Sequence, residues 1–180
     1  MFNILEKSDT LAINLKKVKN YLRIDHNEDD DNLKHLIKAA TSSIEKNLER
    51  SFLLKTFEKI VFTRAGKDGI TRIKLSFPPL LRILSVEKKT GNGEFKEIYN
   101  YLISTESAIP HILLREANCT IRVRYIAGYG DLPSHIPHDI RQAILLLVSE
   151  MYENQSGEKI IRDDSILNAL LSPYRIVSLI

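Results

Sequence analysis

The chain has 180 residues, of which 43% are hydrophobic and 27% charged, and its formal net charge is +3. This size suits one solid core, or a core with a small second lobe. No apolar run approaches the roughly 18 residues of a membrane helix, and the N-terminus lacks a signal-peptide pattern, so we expect no membrane partner and synthesis in the cytoplasm. The single cysteine, Cys119, excludes an intramolecular disulfide and a cysteine-based zinc site.

Charge is distributed unevenly along the chain. Residues 1–53 carry 9 basic and 9 acidic side chains, residues 54–130 carry 13 and 7, and residues 131–180 carry 4 and 7. The middle region is therefore basic and the last region acidic. Such a division favours pairing of the two regions between subunits, or contact of the middle region with a polyanion.

The first region is predicted to be helical. Leucine and valine recur every three to four residues from Leu11 to Leu22, which indicates a short amphipathic helix. The acidic run at 28–31 then opens a second helix over residues 31–50, because carboxylates stabilise the positive end of a helix dipole. The buried stripe of this helix is predicted to be Leu33, Leu36, Ile37, Ala40, Ile44 and Leu48, with Glu45 on the solvated side.

From residue 54 onward the hydrophobic period becomes that of strands. Apolar side chains at 73, 75 and 77, and again at 121, 123 and 125, alternate with polar or basic ones. Further strands are predicted at 83–89 and 95–103, joined by a glycine-containing hairpin turn at 90–93. Residues 54–130 are therefore predicted to form a small antiparallel β lobe.

After residue 130 the pattern is helical again. Pro137 suits a first helical turn, and a helix is predicted over residues 137–153. One stripe of this helix should pack on the helix at 31–50; its residues are Ile140, Ala143, Ile144, Leu147 and Met151. A last short helix begins at Asp163 or Asp164 and ends before Pro173, and an apolar tail follows.

Apolar side chains that lie off the packed stripe, and those of the tail, need cover from another part of the protein or from another copy. We take them as the candidate oligomer or partner interface. The residues are Leu145, Leu146, Tyr174, Arg175, Ile176, Val177 and Leu179.

The sequence predicts no catalytic residue, no metal site and no cofactor. The phosphate loop, the dinucleotide fingerprint and the nucleophile elbow are all missing. His135 and His138 have a metal-ligand spacing, but Pro137 places a helix start between them and no third ligand is evident. We therefore expect that the protein is not an enzyme.

Basic side chains on the predicted strands form a candidate contact face. They are Arg72, Lys74, Arg122 and Arg124, which project from polar strand faces. Three interpretations stay open: a solvated sheet face, a contact with a partner protein, and a contact with DNA phosphates. Aromatic residues that would stack bases are not interleaved with them.

The order and spacing of several segments resemble the head–tail connector (adaptor) proteins of tailed phages. The segments are VKNYLRID at 18–25, EDDDNL at 28–33, LIKAA at 36–40, YIAGYG at 125–130, IP at 136–137, AILLLV at 143–148, YEN at 152–154 and LLSPYR at 170–175. They cover most of the chain outside the β lobe. The long insertion at 54–130 resembles a longer subgroup labelled as DNA-packaging proteins.

This resemblance implies an α+β fold, a connector-like helical bundle with an inserted small antiparallel β lobe. Residues 1–53 would supply the N-terminal helices, 54–130 the lobe, and 131–180 the C-terminal helices and extended tail. It implies a structural virion protein, made in the bacterial host cytoplasm, that joins head to tail.

The partners implied by the resemblance are other copies of the chain, the portal protein and a tail-completion protein. The copies would form a ring, dodecameric in the virion; for the isolated protein, both a monomer and an assembled ring are compatible with the resemblance. The alternative function is a DNA-packaging factor that touches DNA weakly and non-specifically through the basic lobe.

Overall fold

A computed structural model of the chain describes residues 1–154 and 164–176. Two compact units are present. Met1–Ser8 and Leu54–Tyr129 form the first, which we call the β unit, and Asp9–Leu53 and Gly130–Ile180 form the second, the helical unit. Within the described ranges no helix has both the length and the apolar character needed to cross a membrane.

The β unit contains two antiparallel sheets. Its strands are β1 (Phe2–Lys7), β2 (Lys55–Phe62), β3 (Thr71–Lys74), β4 (Leu80–Lys89), β5 (Phe95–Glu97), β6 (Tyr101–Ser104), β7 (His111–Leu114) and β8 (Thr120–Ala127). The larger sheet has the order β1-β2-β8-β4-β5, and the smaller has the order β3-β7-β6. The predicted 90–93 turn links β4 to β5, which pair as a hairpin.

The core of the β unit lies between the inner faces of its two sheets. Along β8, Ile121, Val123 and Tyr125 are fully buried, while the arginines between them face outward. One cluster of contacting buried residues joins these side chains to Ile73 and Ile112 of the smaller sheet. The outward faces of the two sheets therefore point away from each other.

Stacked aromatic rings fill one part of this core. The Phe57 ring lies 5.4 Å from Phe2, 5.6 Å from Phe77 and 5.4 Å from Tyr125, measured between ring centroids. The Tyr125 hydroxyl donates a hydrogen bond of 3.0 Å to the carbonyl of Ser76. Its burial raises the pKa of Tyr125, because the phenolate would lie in an apolar environment.

The helical unit contains four α-helices among its described residues: α1 (Leu15–Leu22), α2 (Asp30–Leu48), α3 (His138–Glu153) and α4 (Asp164–Leu171). Helix α2 packs against α3, α1 contacts both, and α4 packs on α3. Of the predicted α3 stripe, Ile140, Ala143 and Ile144 are fully buried, whereas Leu147 and Met151 are half-buried.

The predicted fold class, a helical bundle with a small inserted lobe, is wrong. The protein is a β-rich α+β fold, in which the described residues form four α-helices and two antiparallel sheets. The β unit has its own core and contains nearly half of the chain. The prediction assigned residues 1–53 to helices, but Phe2–Lys7 is a strand that pairs with β2.

We expect Phe57→Ala to lower the free energy of unfolding by about 3–5 kcal/mol, because it leaves a cavity among three stacked rings. The matched control is Phe62→Ala on the same strand, where the side chain is 58% exposed and a change within about 0.5 kcal/mol is expected. Urea unfolding, followed by circular dichroism, measures both. Equal losses for the two variants would contradict the assignment of the core.

Candidate interaction surfaces

The outer face of the larger sheet holds four interleaved charges. The strand register places Glu58 of β2 opposite Arg124, and Glu87 of β4 opposite Arg122. The Arg124 Nε lies 2.9 Å from Glu58 Oε2, and the Arg122 Nε lies 2.8 Å from Glu87 Oε2. A longer contact of 3.8 Å joins Arg124 to the second oxygen of Glu87. We call these four residues the ionic network.

Neighbouring groups complete the ionic network. The Ser85 hydroxyl donates a hydrogen bond of 2.7 Å to Glu87, and the Arg122 guanidinium lies 4.0 Å from the centroid of the Phe95 ring. Burial opposes ionisation of Glu87, but hydrogen bonds from Ser85 and Arg122, and the charges of both arginines, outweigh it and hold the pKa of Glu87 below its usual range. The charges of Arg122 and Arg124 are therefore largely balanced within the subunit.

The other two predicted contact residues, Arg72 and Lys74, lie on β3 in the smaller sheet. Because the outer faces of the two sheets diverge, the four cations do not share one face. Arg72 is paired with Asp68, with an N–O distance of 2.6 Å. The Arg72 hydrogen bond and the backbone N–H of Ile70 lower the pKa of Asp68 to about 2. Contact of these cations with DNA or protein stays a prediction.

Exposed leucines of the β unit form a feature that sequence patterns did not reveal. Leu81 and Leu84 on β4 are 55% and 42% exposed, and Leu102 on β6 is 72% exposed. Leu81 and Leu84 lie in a strand whose alternation is locally interrupted, and Leu102 lies in an edge strand of the smaller sheet. Finding them requires the strand pairing, which the sequence alone does not give.

The two predicted interface leucines of α3, in the helical unit, differ in their burial. Leu145 is 2% exposed within its own chain, so its assignment to an interface is wrong. Leu146 is half-buried and keeps a partly exposed side chain. The physical reason is that α3 is contacted by α1, α2 and α4, a wider cover than one stripe requires.

The start of the predicted tail is anchored inside the helical unit. The Arg50 Nε donates a hydrogen bond of 2.6 Å to the Tyr174 carbonyl, and the Tyr174 hydroxyl lies 3.3 Å from Asp139 Oδ2. Arg175 donates to Asn168 of α4 at 2.7 Å. Ile176 is half-buried. Val177 and Leu179 lie outside the described residues, so their predicted interface role stays a prediction.

His135 and the acidic residues at the start of α2 have partners within the helical unit. Lys19 Nζ lies 2.7 Å from Asp30, and the Tyr152 hydroxyl donates to Asp29 at 2.6 Å, so the acidic run is tied to α1 and α3. His135 lies against Gly130, where an added Cβ would come within 2.0 Å of its Nδ1. Among the described residues, no three histidine, cysteine or acidic side chains are grouped as metal ligands would be.

Comparison with known proteins gives one family and several structures. A family model described as head completion protein matches residues 12–159. No protein of curated function matches the sequence.

The similar structures come from gene transfer agent (GTA) particles. A chain in the neck of an empty GTA particle, computed with C6 symmetry, has a TM-score of 0.84 and 19% identity. A chain in the virion of a native GTA particle has a TM-score of 0.83 and 19% identity. A chain in the neck of the native particle, computed with C12 symmetry, has a TM-score of 0.78 and 18% identity. Each match covers 100% of this chain and 97% of the other. At these identities the likeness establishes a common fold.

We expect Glu87→Gln to lower the free energy of unfolding by about 1–3 kcal/mol at neutral pH, because the charge-assisted hydrogen bond from Arg122 and the attraction of Arg124 at 3.8 Å both weaken. The folded pKa of Glu87 is depressed, so its stabilisation is present above the unfolded value of about 4.3 and is lost as the pH falls through the folded value. The difference between the wild type and the variant should therefore shrink below about pH 4.

Urea unfolding from about pH 7 to about pH 3 checks this dependence. The control is Glu106→Gln, since Glu106 is an exposed loop residue of the same unit. A difference that is independent of pH would contradict the role of the Glu87 charge.

Proposed function

The chain belongs to the head completion protein family, the structural proteins that connect head to tail in a virion, and we propose that it works as one subunit of a homo-oligomeric ring in the neck of a phage or phage-like particle. The observation that carries this proposal is the extent of the fold match. Both units, rather than the helices alone, are covered by the similarity to a neck subunit.

The distribution of charge supports ring assembly. The neck structures that the chain resembles were computed with C6 and C12 symmetry. A ring built from head-to-tail contacts needs two different complementary surfaces on each subunit. Here the β unit carries 14 basic and 8 acidic side chains, and the helical unit carries 12 and 15. Attraction between the β unit of one copy and the helical unit of the next is therefore favourable.

We propose further that the protein acts by binding alone, without catalysis or cofactor. The acidic run and His135 are held by contacts that stabilise the helical unit. The proposed partners on the two faces of the ring are the portal protein and a tail-completion protein, with assembly following synthesis in the host cytoplasm. We infer these partners from the membership of the chain in the head completion protein family.

The alternative function is a DNA-packaging factor that contacts DNA through the β unit. The excess of basic over acidic side chains in the β unit favours this alternative. Against it, Arg72, Arg122 and Arg124 are each paired with a carboxylate in the subunit. Releasing these cations to phosphates would leave the carboxylates without partners, which costs part of the binding energy.

We expect the purified protein to self-associate and to form rings that are visible by negative-stain electron microscopy. Sedimentation velocity across a range of protein concentrations, at about 50 mM and about 500 mM salt, measures the association. Association should weaken at high salt, because the Debye length falls from about 10 Å at 0.1 M to about 3 Å at 1 M. A protein that stays monomeric at every concentration contradicts self-assembly.

We expect any DNA binding to be weak, non-specific and steeply dependent on salt. The logarithm of affinity should fall by about 0.9 per neutralised phosphate for each tenfold rise in salt. Fluorescence anisotropy with labelled duplexes of two unrelated sequences tests this. A complex that prefers one sequence and persists at high salt would support the packaging factor and contradict the connector role.

A further inference from the structure

Strand β4 contains two bulges, and each one turns a leucine outward. In its pairing with β8, Leu80 faces Ala127 and Arg82 faces Ile126, so Leu81 is an extra residue. The same shift between Ile83 and Ser85 makes Leu84 extra. The two leucines are 55% and 42% exposed. Bulges redirect side chains and recur at sites where a strand must present them.

The side of β4 away from β8 is open over these residues. Strand β5 pairs only with Glu87–Lys89, and the N–H of Ile98 extends the contact to the Val86 carbonyl. Residues 80–85 of β4 therefore lie at an edge of the larger sheet among the described strands. Edge strands of soluble proteins usually carry charged residues to prevent association. This edge instead presents two leucines, with the exposed Arg82 between them.

The bulges also restrict what can bind there. Addition of another strand requires a regular row of N–H and C=O groups, and two bulges within four residues interrupt that row. A partner must therefore contact the side chains rather than extend the sheet. Phosphate groups would match Arg82 but would leave both leucines exposed to water.

We propose that Leu81, Arg82 and Leu84, the bulged edge, form the surface through which the β unit of one copy docks on the helical unit of the next. This inference rests on the ring proposed above and names the contact that builds it. The occupant is a second copy, because its helical unit has more acidic than basic side chains, whereas the β unit has more basic than acidic ones.

The helical unit also offers a matching site. Among its described residues, Tyr21, Leu132 and Ile166 are the large apolar side chains that are well exposed. Leu132, 52% exposed, follows Asp131, whose side chain is 73% exposed. An apolar side chain beside a carboxylate complements leucines beside an arginine, so we assign Asp131 and Leu132 as the facing pair.

The first test is the double variant Leu81→Asp/Leu84→Asp. Its matched control is Leu102→Asp/Ile103→Asp, which also adds two carboxylates at exposed apolar residues of the same unit. We expect unchanged circular dichroism for both, self-association weakened at least about tenfold for the double variant, and normal association for the control. Normal assembly of the double variant, or equal impairment by the control, overturns the proposal.

A second test does not depend on the folding of the double variant. Arg82→Glu changes an exposed side chain and should weaken association, as should Asp131→Lys, while the two changes together should restore it. Normal assembly of Arg82→Glu overturns the bulged edge as the contact. Impairment without rescue by Asp131→Lys overturns the facing pair.

The outcomes separate this proposal from the proposed function. A wild-type protein that never assembles removes the ring and this contact together. A wild type that forms rings, with a double variant that forms them equally well, removes the contact alone.

Discussion

The alternation of strand β8 is the constraint on which the β unit depends. This strand is paired along its length with β2 on one side and with β4 on the other. Its odd-numbered side chains, from Ile121 to Tyr125, enter the core that joins the two sheets. Its even-numbered arginines face outward, where the register brings Glu58 and Glu87 beside them. A shift of one residue would place both arginines in the apolar core.

The elements that the sequence predicted are those with a clear hydrophobic period. The alternation at 121–125 and the stripes of α2 and α3 are periodic, and each predicted element of this kind is present in the structure. Strand β2 is different, because its inner face carries Lys59 between Phe57 and Val61. Burial, with the charge of Lys74, lowers the pKa of Lys59. A lysine at an inward position masks the period that would have revealed the strand.

The interaction surfaces were less predictable, because they depend on which strands are neighbours. The basic residues were visible in the sequence, but their carboxylate partners lie 35 and 66 positions away. Likewise a bulge is defined by its partner strand, so Leu81 and Leu84 look like ordinary strand residues in sequence. Glu45 was expected in solvent, yet it is buried and accepts a hydrogen bond of 2.7 Å from the N–H of Phe52. Its contact forms only once the chain turns beyond α2.

The pairing of β1 with β2 has a consequence for synthesis on the ribosome. Strand β1 ends at Lys7, its partner begins at Lys55, and the central strand of their sheet ends at Ala127. At about 5–20 residues per second, the first strand waits several seconds for its partner, and the sheet is completed only after roughly 6–25 seconds. Helices α1 and α2 emerge in the interval and contain local hydrogen bonds that form early. During that time Phe2 of β1 lacks the Phe57 and Phe77 rings on which it stacks in the folded protein, so β1 cannot reach its final packing before residue 77 has been made.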